Sequence, residues 1–365
     1  MSIVALKQIS TLEDVKEVER SLSEGKSEVE LDLAHVARSS NRWVEVLANI
    51  FLTRARDVAL QIALPTDPGK LEALERGGLL FALANRESVR LVEGVNQERL
   101  DWWSRDWRPA TQEYQLELDL GLDNRIPEED SLRPQKTRTG RMAVFVNPHL
   151  RAKDEVLVDE VGREGAEPWM VDLIESYASS IERSARIRMG QRLSRLTREL
   201  VSNLDHAFRP IAGLNGSVER RNRKSYVQLY QTLGGGPESH NRLHIVVADS
   251  GFGIVRTLRP KLRVVDPRYS ALSEAKPDHE IVRELLDGAL PQFGPASGLG
   301  YRSVLEVAES FGGSVKVATG SQDFATGSQI SVLAQRPADG KVESRWEARL
   351  SLEGTVVHAT IPLDQ

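Results

Sequence analysis

Apolar and polar residues alternate in short blocks through the first 95 residues, and the spacing of the blocks switches between strand and helix. Short apolar runs at 28–34, 57–65 and 79–84 predict strands. Between them, residues 40–55 have apolar side chains at helical spacing, and 67–78 have a proline near the start and glycines at the end, as short helices do. Strands that alternate with helices predict a small α/β domain with parallel strands at residues 1–95.

The pattern changes twice after this first domain. Residues 96–167 form a connecting region in which 115–122 and 141–147 have strand spacing, with a charged, exposed loop between them. From residue 168 to about 208 the pattern is helical, with one apolar stripe that includes Leu193, Leu196, Leu200 and Leu204. Strands and a further amphipathic helix follow, and we therefore treat 168–365 as a third part of the chain.

Composition excludes several classes of protein. The chain has no cysteine, which removes disulfides and thiolate chemistry. The net charge of −5 gives no general attraction to nucleic acid or to anionic membranes. The first residues have neither a basic segment nor a sustained apolar segment, and no apolar run approaches the ~18–20 residues of a membrane helix. We expect a cytoplasmic protein that binds neither nucleic acid nor membrane.

Candidate chemistry is concentrated in three segments of 168–365. Glu199 and Asn203 are four residues apart, and therefore lie on one face of the predicted helix. The amide oxygen of Asn203 is the kind of hard ligand that Mg²⁺ prefers, and Glu199 could orient or deprotonate an attacking water or hydroxyl. His206 continues the same face of this helix.

The other two segments contain glycines at places where an element ends or begins. An apolar strand starting at residue 244 ends in Asp249, whose carboxylate could accept a hydrogen bond from an exocyclic amino group such as that of adenine. Gly251 and Gly253 would let the backbone approach the ring closely. Gly298 and Gly300 open a helix whose free N–H groups favour phosphate.

Together with a late Gly-Thr, these segments resemble a known superfamily. The sequences ELVSN (199–203), DSGFG (249–253), SGLGY (297–301) and GT (354–355) are similar to the four nucleotide-binding boxes of the GHKL ATPases, which comprise gyrase, the ninety-kilodalton heat-shock chaperone, histidine kinases and MutL. The resemblance covers about 170–365. It implies a two-layer α/β sandwich, the Bergerat ATP-binding fold, that holds Mg·ATP under a mobile lid at 254–297.

The resemblance also implies a role for each matching residue. Glu199 would be the general base, Asn203 the Mg²⁺ ligand and Asp249 the residue that recognises adenine. The further residues expected at the ATP are His206, Gly251, Gly253, Gly298, Leu299, Gly300, Tyr301 and Thr355.

Some positions depart from the superfamily pattern. Asp205 is one place early in the first box, Tyr301 stands where leucine is commoner, and a Thr-Gly-Ser at 326–328 competes with Thr355. The segment around His206 is similar to the phosphoacceptor box of histidine kinases. The interval from His206 to Asp249 is too short for a separate phosphoacceptor domain, which favours a place for His206 near the nucleotide.

Residues 1–95 are faintly similar to STAS domains, the partners of anti-sigma-factor kinases. Ser39 and Ser40 stand where STAS domains have Asp-Ser-Ser-Gly, but the flanking residues are Arg38 and Asn41. Either serine would serve as the N-cap of the helix at 40–55, or as a phosphorylation site.

Three functions follow as alternatives. The first is a slow Mg-dependent ATPase that acts as a nucleotide-driven conformational switch or signalling protein, with a protein partner or self-association. The second is a serine/threonine protein kinase of the anti-sigma type, in which Glu199 activates a protein hydroxyl. The third is an ATP-gated binding module without hydrolysis.

Overall fold

A computed structural model describes part of the chain. The described residues are 2–5, 12–23, 28–33, 59–63, 65, 67, 89–91, 135–136, 142–146, 182–207, 225–232, 242–249, 251–269, 276–291, 299–322, 329–337, 340–347, 352 and 354–363. The chain divides into two compact units, 1–131 and 132–365. Each helix of the described part is too short or too polar to cross a membrane.

The first unit contains a parallel sheet. Its strands are β1 (Ser2–Ala5), β2 (Glu28–Asp32), β3 (Ala59–Ala63) and β4 (Val89–Leu91), in the order β1–β2–β3–β4. Every neighbouring pair is parallel, as the alternation of strand and helix signals predicted. Helix α1 (Leu12–Ser23), which the pattern did not predict, packs against β1 and buries Val15 and Val18.

Several predictions for the first unit lie outside the described residues. They are the helices at 40–55 and 67–78, the strands at 79–84 and 115–122, and the serines at 39 and 40. The predicted strands at 28–34 and 57–65 are confirmed as β2 and β3.

The second unit contains an antiparallel sheet of eight strands. These are β5 (Gln135–Lys136), β6 (Met142–Val146), β7 (Ser225–Thr232), β8 (Arg242–Asp249), β9 (Ser314–Gln322), β10 (Gln329–Arg336), β11 (Glu343–Glu347) and β12 (Thr355–Pro362). Their order is β11–β10–β9–β12–β8–β7–β6–β5, and every neighbouring pair is antiparallel. The predicted strand at 141–147 therefore belongs to this sheet, as β6.

Four described helices pack against the sheet or against one another. They are α2 (Arg183–Ala207), α3 (Ile254–Val265), α4 (Asp278–Asp287) and α5 (Leu299–Ser310). The predicted apolar stripe of α2 is confirmed where it is described, since Leu193, Leu196 and Leu200 are fully buried. These three leucines pack in one hydrophobic core with alternate residues of the central strands. This unit is thus a mixed α/β structure with helices on an antiparallel sheet.

The expectation that residues 254–297 form one mobile lid is wrong for most of that range. Helices α3 and α4 occupy 254–265 and 278–287, and their apolar side chains belong to the same core as the sheet. The buried Arg259 guanidinium pairs with the buried Asp278 carboxylate and also donates to the carbonyl of Lys276 over 3.0 Å. Because the buried side chains of both helices belong to the core of the sheet, most of this range cannot swing open without unfolding part of the domain.

Candidate functional site

The C-terminal end of α2 is in direct contact with the turn that follows β8. The Phe252 N–H donates a 3.1 Å hydrogen bond to the carbonyl oxygen of Ala207, the last residue of α2. A side chain at Gly251 would overlap that carbonyl and lie 2.9 Å from the Ala207 Cβ. Glycine at 251 therefore allows the turn to close against the helix, and the fold brings two of the predicted segments together.

Asp249 is the last residue of β8, and its carboxylate is held in a fixed orientation. It is buried, and Oδ1 accepts a 2.8 Å hydrogen bond from the Gly251 N–H. This aspartate turn explains how an apolar strand can end in a buried carboxylate, because the backbone of the turn satisfies one carboxylate oxygen. In the sheet, Asp249 lies opposite Ser225 on β7 and Thr355 on β12.

The turn also depends on glycines with left-handed backbone conformations. Gly253 has φ of 81°, and a Cβ there would lie 2.6 Å from the Gly320 carbonyl oxygen. Gly354 has φ of 75°, and a Cβ there would overlap the Asp249 backbone and lie 2.6 Å from its Oδ1. Backbone from two other strands therefore approaches the Asp249 turn more closely than side chains would permit.

A threonine that sequence reasoning missed holds these pieces together. The Thr319 hydroxyl on β9 accepts a 2.8 Å hydrogen bond from the Ile254 N–H, at the first turn of α3. It also lies 3.1 Å from the Thr355 hydroxyl, which is its cross-strand neighbour. Both threonines are buried. No local motif marks Thr319, because its importance arises from the pairing of β9 with β12.

Glu199 and Asn203 lie one turn apart on α2, as predicted, and both are half-buried. The Asn203 side-chain nitrogen is buried and has no hydrogen-bond partner among the described residues. An amide nitrogen is a donor, so this group fits a hydrogen-bond acceptor on a ligand. The backbone of His206 lies in the same helix, while its side chain is outside the described part.

Tyr301 lies in the first turn of α5 and packs against the core. Burial raises the pKa of its phenol above the usual value, and the negative charge of Asp249 adds to this effect. Leu299 and Gly300 form the start of α5, as predicted, whereas Gly298 and the Thr-Gly-Ser at 326–328 lie outside the described residues.

The described site therefore joins the end of β8, the end of α2 and the strand pair β9–β12. Among the described residues, no three His, Asp or Glu side chains are grouped as in a metal site built from protein ligands alone. No protein-family model matches the chain, and no curated protein matches it.

Proposed function

We propose that residues 168–365 bind Mg·ATP in a GHKL-type site and hydrolyse it slowly, so that the nucleotide acts as a conformational switch. The observation that supports this most is the junction at Asp249. A buried carboxylate is oriented by the Gly251 N–H and approached by the backbone of Gly354, next to the end of α2. A turn that served only to reverse the chain would not need a buried charge.

The proposed role of Asp249 is to accept a hydrogen bond from the adenine amino group. A carboxylate is an acceptor with two oxygens, and a buried one discriminates strongly against a base that lacks the donor. The Thr319–Thr355 hydroxyl pair lies beside this carboxylate in the sheet register and keeps the β12 end of the turn in place. The amide groups at the start of α5 would favour the phosphates.

Asn203 and Glu199 are the proposed groups for the cation and for the reaction. The amide oxygen of Asn203 would be the single protein ligand to Mg²⁺, an ion that takes its other ligands from phosphate and water. The amide nitrogen, which lacks a partner among the described residues, would donate to a phosphate oxygen. When bound, Mg²⁺ would neutralise charge on the phosphates. Glu199, one helical turn away, would orient and deprotonate the attacking water.

The strand order is in keeping with a Bergerat-type sandwich. Strands β8 and β9 are both antiparallel to β12, which lies between them, so they run parallel to each other. The chain passes from β8 to β9 through α3, α4 and α5, which pack on the sheet. The Asp249 turn and the start of α5 thus belong to one crossover connection, whereas α2 and β12 come from other parts of the chain.

Calorimetric titration of the full chain with ATP and Mg²⁺ tests the proposal. We expect D249N to abolish binding and E199Q to retain binding but lose phosphate release. The matched control is D287N, the same change at an exposed aspartate at the end of α4, which should bind as the wild type does. Failure of the wild type to bind Mg·ATP would overturn the proposal.

Activity assays on the wild-type chain distinguish the three alternative functions. Phosphate release without a protein substrate supports the ATPase. Transfer of labelled phosphate to a protein hydroxyl would point to the kinase of the anti-sigma type, and tight binding with neither reaction would point to an ATP-gated binding module.

A further inference from the structure

Strand β11 lies at one end of the eight-stranded sheet. It pairs with β10 on one side, and among the described strands none pairs with its other side. An edge strand presents a row of backbone N–H and C=O groups to any further strand of suitable sequence. What that strand could be depends on the side chains of β11 itself.

The two faces of β11 differ in chemistry. Ser344 and Trp346 lie opposite the core residues Ala334 and Val332 of β10, and the Trp346 ring meets the His279 ring of α4 edge-on at 5.4 Å. Glu343 and Arg345 point to the other face, where both are exposed. The strand thus has one apolar face and one face with alternating charges.

We propose that β11 is a self-association surface, and that two copies of the chain pair through it as antiparallel strands about a two-fold axis at Ser344. In this register, Glu343 of each copy lies opposite Arg345 of the other, and Ser344 lies opposite itself. The register also brings Lys341 opposite position 347, which is a glutamate. Directly opposite charges on antiparallel strands stabilise the pairing.

The charges favour this register over the two nearest symmetric ones that keep each face continuous. Such registers differ by two residues, because a shift of one would turn each side chain to the wrong face. Centred on Glu343, the pairing would put Glu343 against itself and Lys341 against Arg345. Centred on Arg345, it would put Arg345 against itself and Glu343 against the glutamate at 347. Both alternatives place like charges directly opposite, which is unfavourable.

The apolar face is complementary in the same register. Val342 lies opposite Trp346 of the second copy, and Val342 belongs to the hydrophobic core with 7% exposure. Trp346 is 36% exposed and is one of the few large apolar side chains of the described part that reach the solvent. Pairing would cover this ring with the partner's valine and extend the core across the axis.

Such a dimer should be weak. Pairing through one short strand on each side buries less area than the ~1,200 Å² of the smallest standard interfaces. The charge pairs should therefore contribute a large part of the free energy of association.

Sedimentation equilibrium of the full chain, from about 1 μM to about 1 mM, tests this proposal, since weak interfaces associate in this range. We expect the wild type to form dimers. E343R places arginine against arginine twice, and R345E places glutamate against glutamate twice. Each variant should dimerise at least tenfold more weakly than the wild type.

Recombining the charges supplies the decisive comparison. An equimolar mixture of E343R and R345E restores both pairs in a heterodimer, and the double variant E343R/R345E restores them in a homodimer, so both should associate as the wild type does. E306R and R302E, which make the same changes of net charge on the exposed face of α5, serve as controls. The proposal fails if the wild type stays monomeric, if the single variants dimerise normally, or if recombination restores nothing. Because no nucleotide is present, the outcome is independent of the proposed ATP site.

Discussion

Replacing Gly354 by alanine tests the close approach of backbone on which the candidate site depends. Gly354 has φ of 75°, and a Cβ there would overlap the backbone of Asp249 and lie 2.6 Å from its Oδ1. The left-handed conformation costs alanine about 1–2 kcal/mol. Forcing β12 and β8 apart in a close-packed core adds about 1–3 kcal/mol. We therefore expect G354A to lower the free energy of unfolding by about 2–5 kcal/mol.

Gly288 offers a matched control on the same unit. It caps α4 with φ of 69°, and apart from its own chain neighbours no atom of the described residues lies within 4 Å of the place where its Cβ would be. G288A therefore carries the backbone cost of about 1–2 kcal/mol but not the overlap. The difference between the two variants isolates the contact of Gly354 with Asp249.

Urea denaturation followed by circular dichroism measures both variants. The change in midpoint multiplied by the slope gives the loss of stability, provided that the slope is unchanged. If G354A proves no less stable than G288A, the strands are not as close at Asp249 as described, and the account of the site is refuted. A stable G354A that binds ATP normally would contradict the proposed function as well.

Three further predictions concern the packing around this site. T319V should lower the free energy of unfolding in urea by about 1–3 kcal/mol, because it leaves the buried Ile254 N–H without an acceptor. T319S keeps the hydroxyl and should retain most of the stability in the same measurement. D278A should lower it by about 3–5 kcal/mol, because it removes the carboxylate that balances the charge of the buried Arg259 guanidinium. Removing the exposed ion pair on α5 with E306A should change it by about 0.5 kcal/mol or less. The pKa of Tyr301 is raised in the folded state, so above about pH 10 the unfolded state releases the phenol proton first and the stability of the wild type falls with rising pH. Y301F should therefore lose less stability than the wild type between about pH 8 and pH 11. An identical alkaline loss in the two proteins would contradict the burial of this phenol.

The parts of the site that the sequence predicted are those whose chemistry is local. Asp249 and Gly251 are two residues apart, and their hydrogen bond closes within a single turn. Glu199 and Asn203 are related by helical periodicity alone. Such relations are visible in the order of residues, because backbone geometry over a few residues is nearly fixed by residue type.

The lid expectation failed although the sequence contained a signal against it. Arg, Lys and Pro residues in 254–297 suggested a loop, and Pro260 lies inside α3. Yet Ile254, Val255 and Leu262 have the spacing of an amphipathic helix, and all three are buried. Periodicity of apolar residues outweighed the composition, and a proline within the first two turns of the helix did not prevent it from forming.

Thr319 and Gly354 could not be predicted in this way. Thr319 lies far along the chain from its hydrogen-bond neighbours Ile254, Gly354 and Thr355. The steric demand on Gly354 comes from Asp249, on a strand more than a hundred residues earlier. Each depends on which strands become neighbours and in which register, and a one-residue slip of β12 would remove both relations.

It follows that formation of the candidate site and folding of the sheet are one event. Thr355 pairs with Asp249 on one side and with Thr319 on the other, so the β8–β12–β9 register that completes the core also positions the carboxylate and both hydroxyls. Changes at Thr319 or Gly354 should therefore lower stability and ATP affinity together. Changes at Gly288 should affect stability alone, and those at Glu343 should affect neither, because these residues lie outside that register. If stability and ATP affinity fall together in the Thr319 and Gly354 variants but not in the Gly288 and Glu343 variants, the residues that build the site are distinguished from those that only surround it.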